Sequence, residues 1–258
     1  MNILVCLKDV PDPSAFIEIA SDNLSFRIES SAPYVMSSLD EQALELALTI
    51  KDSCPGVSIH ALAIGADRSL PVLRRALGMG ADKAILGSLP DLSLYEDPLV
   101  VASAIAFWSK TQRYSLYLLG AASDDLMQGQ VGPMLAELMG LPCATCVVSV
   151  VAIEEEAVRC VREVDGGLRS VLEVDLPAVI TVLSSQRTPR YPSLSNMLRA
   201  KKMPPERFNF DEALSLDTQR LEMSYHYPAK ERNTLVLEGD AASQADRLIE
   251  FLRGKGLL

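Results

Sequence analysis

A chain of 258 residues, 48% of them hydrophobic, has room for one large α/β domain with an appendage or for two small domains. Its formal net charge of −10 argues against sequence-independent binding to nucleic acid, which needs a basic surface. No apolar run approaches the roughly 20 residues that span a bilayer. Met1–Val5 runs straight into strand-like sequence, without the features of a signal or transit peptide, so a cytoplasmic location is expected.

Ile3–Leu7 reads as a buried strand followed by a turn, Lys8–Pro13, and Leu24–Ile28 as a small edge strand. Ser38-Leu39-Asp40-Glu41 has the spacing of a capping box with Ser38 as N-cap, and Leu44, Ala47, Leu48 and Lys51 continue it, predicting a helix over 39–53. Strands are expected at Val57–Ile64, Ala84–Leu86 and Leu116–Leu119, and helices at Leu70–Leu77, Pro98–Lys110 and Gln128–Met139, the last stopped by Gly140. This alternation predicts a doubly wound, mostly parallel sheet. Three consecutive strands between about 144 and 183 extend it with antiparallel members, the tight Asp165-Gly166-Gly167 turn marking a hairpin. Pro177 precedes the last of them, Ala178–Leu183. The nucleotide-binding domain is placed at 1–203. Beyond Pro204-Pro205 the sequence turns polar and irregular up to an amphipathic helix, Ala241–Arg253, so 204–258 reads as a C-terminal arm.

The catalytic inventory is thin. Of the two histidines, His60 lies in an apolar strand and His226 in the arm, and neither has the setting of a base or ligand. No G-x-S-x-G, H-E-x-x-H, Walker A or G-x-G-x-x-G pattern occurs. Five scattered cysteines, an odd number, point to reduced thiols. Cys143-x-x-Cys146 lacks a second pair or a nearby His to complete a metal site, so a structural role is expected. The remaining candidate is the loop Gly120–Pro133, between a buried strand and a helix. Its Gly129, Gln130 and Val131 amides would face an anion at the helix start, where Pro133 fits the first turn. The alternative is a strand–helix connection that uses glycines for turning.

Residues 184–202 are unusual. Pro189-Arg190-Tyr191-Pro192 stiffens an exposed connection that presents Leu194 ahead of a basic helix carrying Arg199, Lys201 and Lys202. A globular core has little use for such a segment, whereas a partner protein has.

P-R-Y-P-S-L with Asn196 and A-K-K resembles the beta subunit of electron-transfer flavoproteins. The same family is suggested by Lys8 with Val10-Pro11-Asp12, D-E-x-A-L-E-x-A at 40–47, L-R-R-A-L-G-M-G-A-D-K-A at 73–84 and G-Q-V-G-P-M-L-A-E-L at 129–138. The resemblance implies a Rossmann-like fold with an adenine-nucleotide pocket, AMP serving as structural ligand. It also implies a heterodimer with an alpha subunit that holds the redox-active FAD, and docking of flavin dehydrogenases such as acyl-CoA dehydrogenases. The downstream acceptor would be a quinone oxidoreductase or a soluble protein, and this chain would catalyse nothing itself. By position, the pocket would take Cys6, Ser37, Asp40, Ile64, Gly120, Asp125, Gln128, Gly129, Gln130 and Val131. The partner loop would take Tyr191, Leu194, Asn196, Arg199, Lys201 and Lys202, and the 204–258 arm would pack on the alpha subunit. Ser37, Ala121-Ala122, Met127 and Ser195 depart from the family's usual residues, each of the first three sites losing a polar contact. Two other readings stay open: a bifurcating relative that binds a second FAD here and oxidises NADH, and a stand-alone nucleotide-binding protein.

Overall fold

The computed structural model describes residues 1–29, 31–185, 187–216, 224–228 and 234–258. In chain order its first elements are β1 (Asn2–Leu7), the short strands β2 (Asp9–Pro11), β3 (Ile17–Ile19), β4 (Phe26–Ile28) and β5 (Tyr34–Met36), and α1 (Ser38–Ser53). An alternating series follows: β6 (Ser58–Ile64), α2 (Leu70–Met79), β7 (Lys83–Ser88), α3 (Pro98–Ser109), β8 (Leu116–Gly120) and α4 (Val131–Met139). The rest comprises β9 (Cys143–Ile153), β10 (Ala157–Val164), β11 (Leu168–Asp175), β12 (Ala178–Val182), α5 (Leu194–Ala200), β13 (Glu206–Asn209) and α6 (Ala241–Gly254).

The nine-stranded sheet has the order β11-β10-β9-β12-β8-β1-β6-β7-β13. From β12 to β13 every pairing is parallel, and β10 is antiparallel to both β9 and β11. The fold is therefore doubly wound α/β with an antiparallel extension, as the alternation of elements predicts. The central strands are mostly apolar, as strands covered by helices on both faces must be. Leu44, Leu48, Leu73 and Leu77 of α1 and α2 join one buried cluster, and Val100, Ile105 and Leu135 of α3 and α4 join the other. After β1 the chain winds outward through β6 and β7, then crosses by α3 to β8 on the other side of β1. The strand order thus reverses between β1 and β8, and there the carboxyl ends of the strands open a crevice.

Several expectations are corrected. Four strands, not three, fill 143–182, and β12 lies parallel between β9 and β8. The missed break is the acidic connection Glu154-Glu155-Glu156, which contains neither Gly nor Pro. Asp9–Pro11 is a strand paired with β5 rather than a turn. The N-cap of α1 is Ser37, and neither Ser37 nor Ser38 caps with its side chain. Ser38 Oγ is instead 2.6 Å from Asp124 Oδ1, while Glu41 is ion-paired to Arg75, so the capping-box residues serve tertiary contacts. Helix α4 starts three residues later than expected because Gly129 sits at φ +65°, outside helical space. Glu206–Asn209 is ordered as β13, its polar sequence held by Phe208 stacked on Trp108 at 5.0 Å.

The chain divides into two compact units, Met1–Glu18 with Arg27–Met223, and Ile19–Phe26 with Ser224–Leu258. The first contains the sheet. In the second, Tyr225 donates from its amide to Asn23 O at 2.8 Å and meets the Phe26 ring edge-on at 4.9 Å. Tyr227 Oη accepts from the Ile19 amide at 2.9 Å. Helix α6, capped by Asp240, carries Leu248, Ile249 and Phe251, all exposed.

Candidate nucleotide site and partner segment

The crevice at the switch point is a cavity of about 410 Å³. One side is formed by the strand ends, Cys6-Leu7-Lys8 after β1, Ile64-Gly65 after β6 and Leu119-Gly120 at β8. Opposite lie the 121–130 loop and the first turn of α4, through Gly132. Leu92, Pro98, Val101 and Ile105 give it an apolar wall, and Tyr95 lies beside them. The Tyr95 hydroxyl ties this wall together, accepting from the Leu89 amide at 2.8 Å and donating toward Gly65 O at 3.3 Å.

Asp40 is the organising residue at the strand ends. It projects from the first turn of α1, is buried, and accepts from the Lys8 amide (Oδ2, 2.7 Å) and the Gly120 amide (Oδ1, 2.9 Å). One carboxylate therefore bridges the ends of the two strands between which the sheet order reverses. A side chain at Gly120 would collide with it, an ideal Cβ there lying 2.6 Å from Asp40 Oδ1. Burial lifts the Asp40 carboxyl to about 7, against the pull of the two amides and the Lys8 charge. Cys6 is buried beside it, and desolvation together with the Asp40 charge pushes its thiol far above the ordinary cysteine value. Such a thiol stays protonated and is no nucleophile.

The loop is fastened to the same strand ends. Lys8 Nζ pairs with Asp125 Oδ2 at 2.7 Å, and Ser123 Oγ donates to Asp125 Oδ1 at 2.5 Å. Burial alone would raise the Asp125 carboxyl, but the Lys8 and Ser123 hydrogen bonds, the Lys8 charge and the Leu126 amide together hold it below the ordinary carboxylate range. Asp124 fixes the loop to α1 by accepting from Ser38 N and Ser38 Oγ, both at 2.6 Å. Asp9, behind Lys8, accepts from Arg68 Nε at 2.8 Å and from Ser69 Oγ at 2.5 Å, which sets Arg68 at the rim. The first turn of α4 presents amides that no helical carbonyl can satisfy, at the positive end of the helix dipole.

Nine of the ten pocket residues expected from sequence line this one cavity: Cys6, Asp40, Ile64, Gly120, Asp125, Gln128, Gly129, Gln130 and Val131. Ser37 does not; it is buried, and its Oγ accepts from the Asp124 amide at 3.2 Å. Sequence reasoning missed Arg68 and Tyr95 as lining groups and Lys8 as the counter-ion of Asp125. For Lys8 the signal was available, because the residue after a parallel strand's carboxyl end faces the crevice.

The segment expected to meet a partner divides into a held side and a free side. Pro192 and Ala200 are buried, whereas Tyr191 and Leu194 are 85% and 78% exposed. Leu194 opens α5, and Ser193 Oγ caps it by accepting from the Asn196 amide at 3.2 Å. Arg199, Lys201 and Lys202 are exposed and Asn196 half-buried. The electron transfer flavoprotein domain model matches residues 26–213. The chain belongs to the electron transfer flavoprotein beta-subunit family. It is 30% identical over 260 residues to the electron transfer flavoprotein subunit beta of Bacillus subtilis, covering 99% of this chain and 98% of that one. It is 33% identical over 259 residues to the mitochondrial subunit beta of Arabidopsis thaliana, with the same coverages. A further relative is the Caffeyl-CoA reductase-Etf complex subunit CarD of Acetobacterium woodii, 29% identical over 267 residues and the full length of both chains. For this family member no helix among the described residues is long and apolar enough to cross a membrane.

Proposed function

We propose that this electron-transfer chain is the beta subunit of a heterodimeric electron transfer flavoprotein that holds AMP as a structural ligand. An alpha subunit carries the redox-active FAD. Flavin dehydrogenases dock on the segment around Leu194, and a quinone oxidoreductase or another acceptor takes the electrons onward. The observation that carries the reading is the switch-point cavity, whose lining combines Lys8, Asp125 and the start of α4 with the apolar Leu92, Pro98, Val101 and Ile105. Its volume of about 410 Å³ lies low in the range typical of ligand pockets, roughly 300–1,000 Å³.

The residues present fit a mononucleotide. Gly129 lies at φ +65°, and a Cβ there would stand 3.1 Å from Ala121 O, so the loop keeps its backbone bare where an anion would approach. The α4 amides and dipole suit a phosphate, with Lys8 neutralising the Asp125 carboxylate nearby. Leu92, Pro98, Val101 and Ile105 suit the flat apolar faces of a base. This chain's part in electron transfer is then positional. It binds the nucleotide, orders the loop and offers a rigid base for the partner subunit, whose flavin supplies the redox chemistry.

The exposed apolar residues of α6 support a role for the C-terminal arm in covering a partner, and a permanent interface of this kind buries more than roughly 2,000 Å². Co-expression with the alpha subunit followed by denaturing extraction tests the proposal. One FAD and one AMP per heterodimer are expected. Two FAD and no AMP would replace the AMP reading by a bifurcating one, and a stable monomer that ignores the alpha subunit would overturn both.

A further inference from the structure

Glu45 is a carboxylate inside the apolar run Ala43–Leu48 of α1, and only 2% of it is exposed. A charge withdrawn from water to that degree persists only when paired and fully hydrogen-bonded. Both of its oxygens are used, and all by one residue. Oε1 accepts from Arg190 Nη2 at 2.9 Å and Nε at 3.2 Å, while Oε2 accepts from Nε at 3.0 Å and from the Arg190 backbone amide at 2.9 Å. Arg190 Nη2 also donates to Asp52 Oδ2 at 2.8 Å, two turns further along α1. Main chain and side chain of Arg190 are thus fixed together.

Among the described residues between β12 and α5 there is no helix or strand, so no ladder holds Arg190. Upstream, the Ser185 amide donates to Gln42 Oε1 at 3.1 Å, again on α1. Downstream, Pro192 rests against α2 at Gly78, where an added Cβ would lie 3.1 Å from Pro192 Cβ. Arg75, paired with Glu41, sits over the Tyr191 ring at 5.4 Å. Every one of these contacts faces the body of the subunit. Tyr191, apart from its contact with Arg75, and Leu194, on either side of the buried Pro192, are largely exposed to solvent.

We propose that the Glu45–Arg190 pair is a positioning lock that presents Tyr191 and Leu194 in one fixed geometry to a docking partner while touching no partner itself. The inference rests on the reading of this segment as a docking site. Buried ion pairs are weak stabilisers, and their best-attested use is to specify one arrangement among several. A docking loop ordered in advance loses less conformational freedom when it binds, so the lock acts on affinity rather than on electron transfer within the complex.

The test uses the heterodimer co-purified with its alpha subunit, an acyl-CoA dehydrogenase reduced by its substrate, and hydrogen exchange across 185–200. Glu45→Gln should raise KM for the heterodimer about tenfold with kcat unchanged. It should also speed exchange of the 187–198 amides at least tenfold, leaving α2 and nucleotide content as they were. Arg190→Lys, which keeps the charge but loses the fork, should shift both readouts in the same direction by less, and carries the test if Glu45→Gln fails to fold. Leu194→Ala should raise KM with exchange unchanged. Unaltered exchange in the lock variants, or unaltered KM where Leu194→Ala raises it, overturns the lock. Unaltered KM in Leu194→Ala overturns the docking reading, and the proposal with it.

Discussion

Gly129→Ala is the most direct perturbation of the proposed nucleotide cradle. The residue sits at φ +65°, where an L side chain costs roughly 1–2 kcal/mol. The new Cβ would also lie 3.1 Å from Ala121 O, closer than ordinary van der Waals contact, and that carbonyl belongs to the same loop. Strain of this size is relieved when the loop leaves its nucleotide-competent shape. A loss of about 1.4 kcal/mol, or tenfold in Kd for AMP, is therefore expected, with more from Gly129→Pro, which demands φ near −65° and deletes an amide. Gly166→Ala is the control, since Gly166 has φ +77° in the β10–β11 turn with nothing within 4 Å of an added Cβ. It imposes the same kind of backbone strain far from the cavity. Calorimetric titration of AMP into nucleotide-stripped protein, alongside melting curves, separates the two. Equal affinities for wild type and Gly129→Ala, or full AMP content in purified Gly129→Pro, would refute the cradle.

Two other predictions address the remaining groups. Leu194→Ala should leave folding and flavin content unchanged while slowing electron transfer from the dehydrogenase about tenfold, about 1.4 kcal/mol, and a large fall in melting temperature instead would assign the leucine to the core. Because the Asp125 carboxyl is held below its ordinary value when folded, its contribution to loop order is present above a pH of about 4 and lost as pH falls through the folded value. The difference in AMP retention between wild type and Asp125→Asn should therefore stay constant from neutral pH down to about 5 and close below about 4, while any change near pH 7, where Asp40 titrates, is common to both; at neutral pH Asp125→Asn should lower retention modestly, less than Gly129→Pro does. An Asp125→Asn profile identical to wild type would remove the Lys8–Asp125 pair from the site.

Long periodic elements were legible in the sequence, and short or tertiary ones were not. The strands β1, β6 and β8 are continuous apolar runs, and α1 and α4 carry terminal signals, so the parallel frame and its switch-point loop followed from pattern alone. The strands β2 and β13 escaped because three or four residues give no measurable period and Pro11 argues against a ladder. Ser38 and Glu41 fit a capping box locally, yet Asp124 and Arg75, distant in sequence, compete successfully for both. Glu45 carried a signal that periodicity ignores. A carboxylate at a core position of a helix requires a cation, and the unusual Pro-Arg-Tyr-Pro segment supplies one.

The two candidate regions share one structural member. Helix α1 is 16 residues long, about 24 Å at 1.5 Å per residue. Its N-terminal turn holds the switch-point cavity through Asp40 and the Ser38–Asp124 bonds, and later turns hold the 185–194 segment through Gln42, Glu45 and Asp52. Its apolar residues Leu44, Ala47, Leu48 and Ile50 are buried in the core, so it cannot shift to suit one region without disturbing the packing that places the other. A ligand bound at the N-terminal end adds its binding free energy to the native state, about 2.7 kcal/mol at a hundred times its Kd, without requiring any change of shape. That is the physical sense in which a nucleotide with no redox chemistry can serve an electron-transfer protein. On the proposed function, the nucleotide would stabilise the end of the helix whose far half holds the segment carrying Leu194.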